Sequence, residues 1–145
     1  MSEISKPLNQ LLADHQVFYQ KCRTYHWTVK GPLFFALHQK FEELYTEAAL
    51  RVDELAERIV ALGARPYGSL QDQAKHARLT EDSAERGAKE MVTNLIADLE
   101  KLTLWLRETA GDAEAKNDKA TLNMLEGFAD ANNKTMWMLG AFLAD

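Results

Sequence analysis

Apolar residues recur along this chain at steps of three and four, the spacing of one face of an α-helix. Leu8, Leu12, His15, Tyr19, Cys22 and His26 form a first stripe, in a segment from about Pro7 to Val29. Gly31-Pro32 closes that segment and opens the next. From about Leu33 to Leu62 the stripe is Phe34, Leu37, Phe41, Leu44, Ala48, Val52, Leu55, Ile59 and Leu62, with Gly63 as the stop. Residues 64–80 are polar and broken by Pro66 and Gly68, with one short helix expected near Gln71 to His76. Thr80-Glu81-Asp82 reads as a cap followed by acids. It predicts a third long helix that carries Ala88, Val92, Leu95, Leu99, Leu102 and Leu106 and ends at Gly111. A fourth, starting between Asp112 and Asp118, carries Leu122, Leu125, Phe128, Asn132, Met136, Leu139 and Leu143. No alternation of period two persists, so the reading is all-α with no sheet.

Connection lengths add topology. The short turn after the first helix makes the first two helices antiparallel neighbours. Extended, the connection over 64–80 spans up to ~56 Å, enough to travel the ~45 Å of a thirty-residue helix. One long crossover between the second and third helices is the ferritin-like version of a four-helix bundle.

Composition narrows the class. The chain has 145 residues, 46% of them hydrophobic and 27% charged, the balance of one globular domain spanning 1–145. No apolar run approaches the ~20 residues of a membrane helix. Met1-Ser2-Glu3-Ile4-Ser5-Lys6 lacks the basic-then-apolar pattern of a secretory leader, so a cytoplasmic location is expected. A single cysteine, Cys22, excludes an intrachain disulfide framework and a cysteine-based zinc site. It falls on a core stripe and reads as inert. A formal charge of −5 disfavours nucleic acid as a default partner.

The second helix carries another stripe, His38, Glu42, Tyr45, Ala49, Asp53 and Glu57, turned roughly 120° from its apolar face. Any one of these carboxylates reads as solvated surface. Together, His38/Glu42 and Asp53/Glu57 are two i,i+4 pairs offering nitrogen and oxygen ligands suited to iron, manganese or zinc. Residues 38 and 53 stand ~22 Å apart along one helix, whereas a metal–ligand bond is ~2.0–2.2 Å. One helix cannot close a site with both pairs. Two antiparallel copies could, around a two-fold axis near Glu47 and Ala48, where Ala48 and Ala49 permit close approach. His26, near the first turn, is placed to join His38. The Glu-x-x-His motifs of an intrabundle di-iron site do not occur in the chain.

The segment His26-Trp27-Thr28-Val29-Lys30-Gly31, then Leu37-His38 and Glu42, then Val52-Asp53-Glu54-Leu55-Ala56-Glu57-Arg58, resembles the paired signatures of the Dps family, the mini-ferritins named as DNA-binding proteins from starved cells. The signatures cover about residues 26 to 58, and the helix pattern extends the likeness over the whole chain. The resemblance implies a ferritin-like bundle with a short helix in its crossover, assembled as a hollow dodecamer. It implies Fe(II) oxidised to Fe(III) at two iron positions per inter-subunit centre, preferentially by hydrogen peroxide, and stored as a ferric mineral. On this likeness His26, His38 and Glu42 come from one subunit and Asp53 and Glu57 from its partner. Trp27 would sit beside the centre and take part in electron transfer or quench radicals. The family most often has Asp where this chain has Glu42, which bears on the second iron position. An acidic pore would fall near Glu114, Asp118 and Glu126, interrupted by Lys116, Lys119 and Asn123.

Other residues have plainer readings. His15 belongs to the core, the His76/Asp72 pair to the surface, and Trp105, Trp137, Met136 and Met138 to core or subunit contact. Two alternatives to a ferroxidase stand beside it: a nucleoid-compacting DNA binder and a metal-free helical interaction module. DNA-binding members of the family often carry a lysine-rich tail. Here the first residues hold Lys6 offset by Glu3, and Gly140-Ala141-Phe142-Leu143-Ala144-Asp145 has no basic residue, so tight DNA binding is not expected. The His38/Glu42 and Asp53/Glu57 spacing speaks against the metal-free module.

Overall fold

The structure, a computed structural model, describes residues 4–144. Glu3 and Asp145, which entered the reading of the two ends, lie outside the described residues. Five helices follow in order: α1 (Ser5–Thr28), α2 (Phe34–Ala61), α3 (Leu70–His76), α4 (Ala88–Ala115) and α5 (Lys119–Leu143). Among the described residues there is no strand. No described helix is long and apolar enough to cross a membrane.

Helix α1 packs on α2 and α4 on α5, and α1 also touches α3 and α4. Two core clusters divide the bundle along its length. One joins Cys22 and Tyr25 to Leu37, Phe41, Leu95, Leu102 and Leu139. The other joins Leu8 and Leu12 to Leu55, Ile59, Leu106, Ala110 and Leu125. Numbers rise together along α2 and α4, so these two helices run parallel and the crossover returns the chain to its starting end. That is the ferritin-like topology expected from the connection length.

Three polar anchors lay the crossover along α1. Asn9 donates to the Arg65 carbonyl at 3.1 Å and accepts from the Tyr67 amide at 2.9 Å. Asp14 accepts from the Arg78 side chain at 2.9 Å and the Leu79 amide at 3.1 Å. Tyr25 donates its hydroxyl to Asp82. This third side explains why α1 buries more than the expected stripe, adding Leu11, Ala13, Asp14, Val17, Phe18 and Tyr25. His15 is core as expected. Its Nδ1–H donates to the Leu11 carbonyl at 2.7 Å, and full burial with the nearby Arg51 charge lowers its pKa to about 3, which keeps the ring neutral. Cys22 is buried too, and burial pushes its thiol pKa well up.

Three boundaries differ from the sequence pattern. Helix α1 starts at Ser5, because proline is tolerated in a first turn. Helix α4 starts at Ala88, not at Thr80-Asp82: the Asp82 carboxylate binds Tyr25, Arg86 and the Ala84 amide and caps no helix. Helix α4 continues through Gly111, since one interior glycine costs only ~1 kcal/mol and the extra turn buries Ala113. The stop is Asn117, at φ 59°, and Asp118 then caps α5 by accepting from the Thr121 amide. His76 is not bare surface either, since it stacks on Tyr67 at 4.4 Å.

Candidate metal centre

Helix α1 ends where Val29 donates to the Tyr25 carbonyl, and Gly31, at φ 95°, turns the chain into α2. This tight reversal sets His26, in the last turn of α1, against His38, one turn into α2. The two imidazoles stack with centroids 3.7 Å apart and planes 11° from parallel. Each holds the other's backbone. His26 Nδ1 lies 2.6 Å from the His38 carbonyl, and His38 Nδ1 lies 2.7 Å from the His26 carbonyl. A carbonyl only accepts, so each Nδ1 donates, and Nε2 is the nitrogen of each ring left for ligation. A hydrogen bond to the far nitrogen is the usual support of a metal-binding histidine.

Other rings and one carboxylate complete this end. Phe34 stacks on the outer face of His38 at 4.8 Å, and Tyr45 meets His26 edge-on at 5.4 Å. The Glu42 Oε1 lies 3.8 Å from His26 Nε2. His26 is buried and His38 half-buried, while Glu42 stays open to solvent. Two imidazoles and a carboxylate thus lie near one another at one end of α2.

Asp53 and Glu57 share the exposed side of α2 one turn apart. Hydrogen bonding and charge repulsion from Asp53 raise the Glu57 pKa, as two carboxylates that lack a counter-cation do. Helix α2 is continuous from Phe34 to Ala61, so this pair stands ~22 Å from His38. Among the described residues of one chain, no group of three or more His, Cys, Asp or Glu is arranged to hold a metal. The chain pairs His26 with His38 and sets Glu42 3.8 Å from His26 without closing a three-ligand site, and it leaves Asp53 with Glu57 apart from them. Of the two alanines named for a close approach, Ala48 faces the bundle interior at 2% exposure and only Ala49 lies outward.

The bundle interior is unsuited to a cation. Arg51 is buried between α2 and α5, donating to Asn132 Oδ1 at 2.7 Å and to the Phe128 carbonyl at 3.3 Å. A fixed positive charge there repels a metal ion, in keeping with the missing Glu-x-x-His motifs.

Trp27 is 56% exposed, with the Arg23 guanidinium 4.8 Å from its ring centroid. Arg23 also lies 5.3 Å from the Tyr19 ring and 6.0 Å from the Tyr45 ring. The sequence pattern placed Tyr45 and Tyr19 on their helix stripes without joining them to Arg23 and Trp27. The signal was present as spacing: Tyr45 lies seven residues after His38, and Arg23 and Tyr19 three and seven before His26. Of the acids expected at a pore, Asp118 pairs with Arg58 at 2.9 Å and Glu126 with Arg107 at 3.3 Å.

Comparison with known proteins gives the family. The Ferritin model, described as a ferritin-like domain, matches residues 5–145. The chain is 38% identical over 141 residues to DNA protection during starvation protein 2 of Bacillus anthracis, covering 97% of both chains. It superposes on the crystal structure of Dps from Staphylococcus aureus with a TM-score of 0.95 at 38% identity, covering 99% of this chain and 96% of that one. The chain belongs to the Dps family. A Dps protein from Vibrio cholerae O1, described as a member of a broad superfamily of ferritin-like diiron-carboxylate proteins, superposes equally well, with a TM-score of 0.95 at 37% identity over 98% of this chain and 89% of that one. Family membership places the chain among ferritin-like proteins, and its relatives include proteins named for DNA protection during starvation.

Proposed function

We propose that this Dps chain is a single ferritin-like domain that oxidises and stores iron at centres shared between two subunits. One observation carries the reading. A histidine pair, each ring held through its Nδ1, stands at one end of α2, and the exposed carboxylate pair Asp53 and Glu57 stands ~22 Å away at the other. Two antiparallel α2 helices about a two-fold axis bring one chain's His26, His38 and Glu42 to its partner's carboxylate end, twice per dimer. Exposed Leu50 and Val60, flanking Asp53 and Glu57 on the outward side of α2, suit burial against such a partner. The dimers assemble further, into the dodecamer of the family resemblance.

Fe(II) is the substrate, held at two positions in each shared centre. Imidazole nitrogen and carboxylate oxygen accept it, and the carboxylates favour the more highly charged Fe(III) product. Hydrogen peroxide, or dioxygen, takes the electrons. Glu42 reaches one methylene further than aspartate would, so the position it serves is the weaker one. A bound cation offsets the repulsion from Asp53 that raises the Glu57 pKa. Trp27 stands by as an electron donor or radical quencher. The setting is a reducing cytoplasm, and DNA is protected by removing iron and peroxide rather than by contact, because a charge of −5 per subunit opposes a polyanion. Anaerobic Fe(II) titration of the purified assembly, with its mass measured and peroxide then added, tests this reading. Saturable binding followed by oxidation supports it. Wild-type oxidation rates in both Asp53→Ala and Glu57→Ala would refute it.

A further inference from the structure

We infer that Phe35 is a register anchor: it seats on the Val60 end of a second copy's α2, twice per pair of chains, a role that rests on the two-subunit reading above. Large apolar side chains stand exposed at three places on α2, with Phe35 at 84%, Leu50 at 62% and Val60 at 59%. At ~100° per residue, Phe35, Glu42, Asp53 and Val60 fall within ~20° of one direction around the helix. Phe35 and Val60 therefore end the same stripe whose middle holds candidate ligands. They also lie equally far from a point between Glu47 and Ala48. So do His38 and Glu57, Glu42 and Asp53, and Tyr45 and Leu50. An antiparallel pairing about that point brings histidine to carboxylate. In the same register it brings each exposed apolar side chain of α2 to an apolar or aromatic one.

The two ends of α2 are complementary in shape. Beside Val60 the surface has a shallow hollow of about 380 Å³, lined by Ala56, Glu57, Val60 and Ala61. The small side chains at 56 and 61 leave it open to a ring. At the other end Phe35 stands out in the first turn of α2, edge-on to Phe34 with centroids 5.3 Å apart at 75°. Phe34 in turn stacks on His38 at 4.8 Å. A surface that receives Phe35 is thereby placed relative to the histidine pair, and the hollow that fits it contains Glu57.

The ligand stripe needs such an anchor. Before iron binds, Glu42 meets the partner's Asp53, acid against acid, and that contact opposes pairing. Apolar burial at Phe35 and Val60 supplies attraction that does not depend on the metal. The tolerance for error is small. A slip of one helical turn would carry each carboxylate ~5 Å from its histidine, whereas a metal–ligand bond is ~2.0–2.2 Å. Two Phe35 contacts, ~37 Å apart along the paired helices, fix both the register and the crossing angle.

The test uses the full-length chain, free of metal. A chain carrying Phe35→Cys with Val60→Cys should form a covalent dimer under mild oxidation, because facing positions meet the short reach of a disulfide. Neither single substitution should, since each position lies ~37 Å from its own copy along the paired helices, and the native Cys22 is buried. A second pair reports on the axis itself: chains carrying Thr46→Cys mixed with chains carrying Ala49→Cys, both exposed positions equally far from the same point. Cross-linking in both experiments supports the anchor. Cross-linking at 46 and 49 without cross-linking at 35 and 60 overturns the anchor and leaves the two-subunit reading standing. Cross-linking at neither overturns both. Dilution followed by native mass spectrometry gives the strength of the contact. Phe35→Ala should release single chains at a protein concentration at least about tenfold higher than the wild type does, as loss of an interface anchor does, with Phe35→Leu between them. Circular dichroism checks that the bundle stays folded, as expected for a side chain exposed in the single chain. A Phe35→Ala chain that dissociates no more readily than the wild type also overturns the anchor.

Discussion

The two ends of α2 carry ligand-type residues in opposite condition. At the first, His26 and His38 are stacked 3.7 Å apart, locked by reciprocal bonds to each other's carbonyls and walled by Phe34 and Tyr45. At the second, Asp53 and Glu57 stand in solvent, and Asp53 raises the Glu57 pKa by hydrogen bonding and charge repulsion. The first end is held by its own hydrogen bonds and ring contacts, and the second is a pair of exposed carboxylates with no such framework. Preorganisation was spent where the tautomer must be fixed, since a misplaced proton removes a nitrogen ligand altogether. A carboxylate needs no such care, because either of its oxygens can bind.

The largest change should come from the bare end. Asp53→Ala with Glu57→Ala should lower peroxide-dependent iron oxidation by more than about 100-fold, because losing even a supporting partner of a ligand costs 10–100-fold. Stability should barely change, as neither residue is buried. Stopped-flow absorbance and thermal unfolding check the two halves of this expectation.

The preassembled end should respond through the fold. The buried Lys21–Asp98 pair, at 2.7 Å, ties α1 to α4 one turn below His26. Asp98→Ala leaves a buried ammonium unpaired and should cost about 3–5 kcal/mol in denaturant unfolding. Hydrogen exchange should then rise around His26 before it rises around Asp53.

Between the two ends lies His15, which should set an acid limit independent of either. Its pKa is lowered from 6.5 to about 3 in the folded chain, so the unfolded chain takes up the proton first. Its contribution to stability is complete above 6.5 and is lost as the pH falls toward about 3, by about 1.4 kcal/mol per pH unit. His15→Gln should flatten that slope in unfolding curves, whatever its effect at neutral pH.

The mildest change is Glu42→Asp. It draws a solvent-exposed carboxylate back by one methylene and should alter affinity at the weaker iron position by less than about tenfold, or about 1.4 kcal/mol. Calorimetric titration reads it directly, and the tighter position should not move.

How much of this was legible in the residues depends on range. Helix existence and the parallel run of α2 and α4 followed from apolar spacing and connection length, because both are local quantities. The onset of α4 did not. Asp82 looks like a cap until its partner, Tyr25, is brought alongside by folding. The end of α4 at Gly111 failed for a similar reason, since burial of Ala113 outweighs a weak local penalty. At the candidate site the ligand types and the separation of the two pairs were visible in spacing alone. The reciprocal histidine bonds were not, because they pair a side chain on one helix with a carbonyl on another. Nor was the burial of Arg51, whose partner Asn132 is 81 residues away.

The central claim is that neither chain holds a complete site, and mixing subunits tests it most directly. Chains carrying His26→Ala with His38→Ala and chains carrying Asp53→Ala with Glu57→Ala are each expected to be inactive. Unfolded together and reassembled at equal ratio, they should recover about a quarter of the wild-type oxidation rate, since half the two-fold pairs are mixed and each mixed pair holds one intact centre of two. A mixture as inactive as its two components, with assembly confirmed by mass, would contradict the shared site.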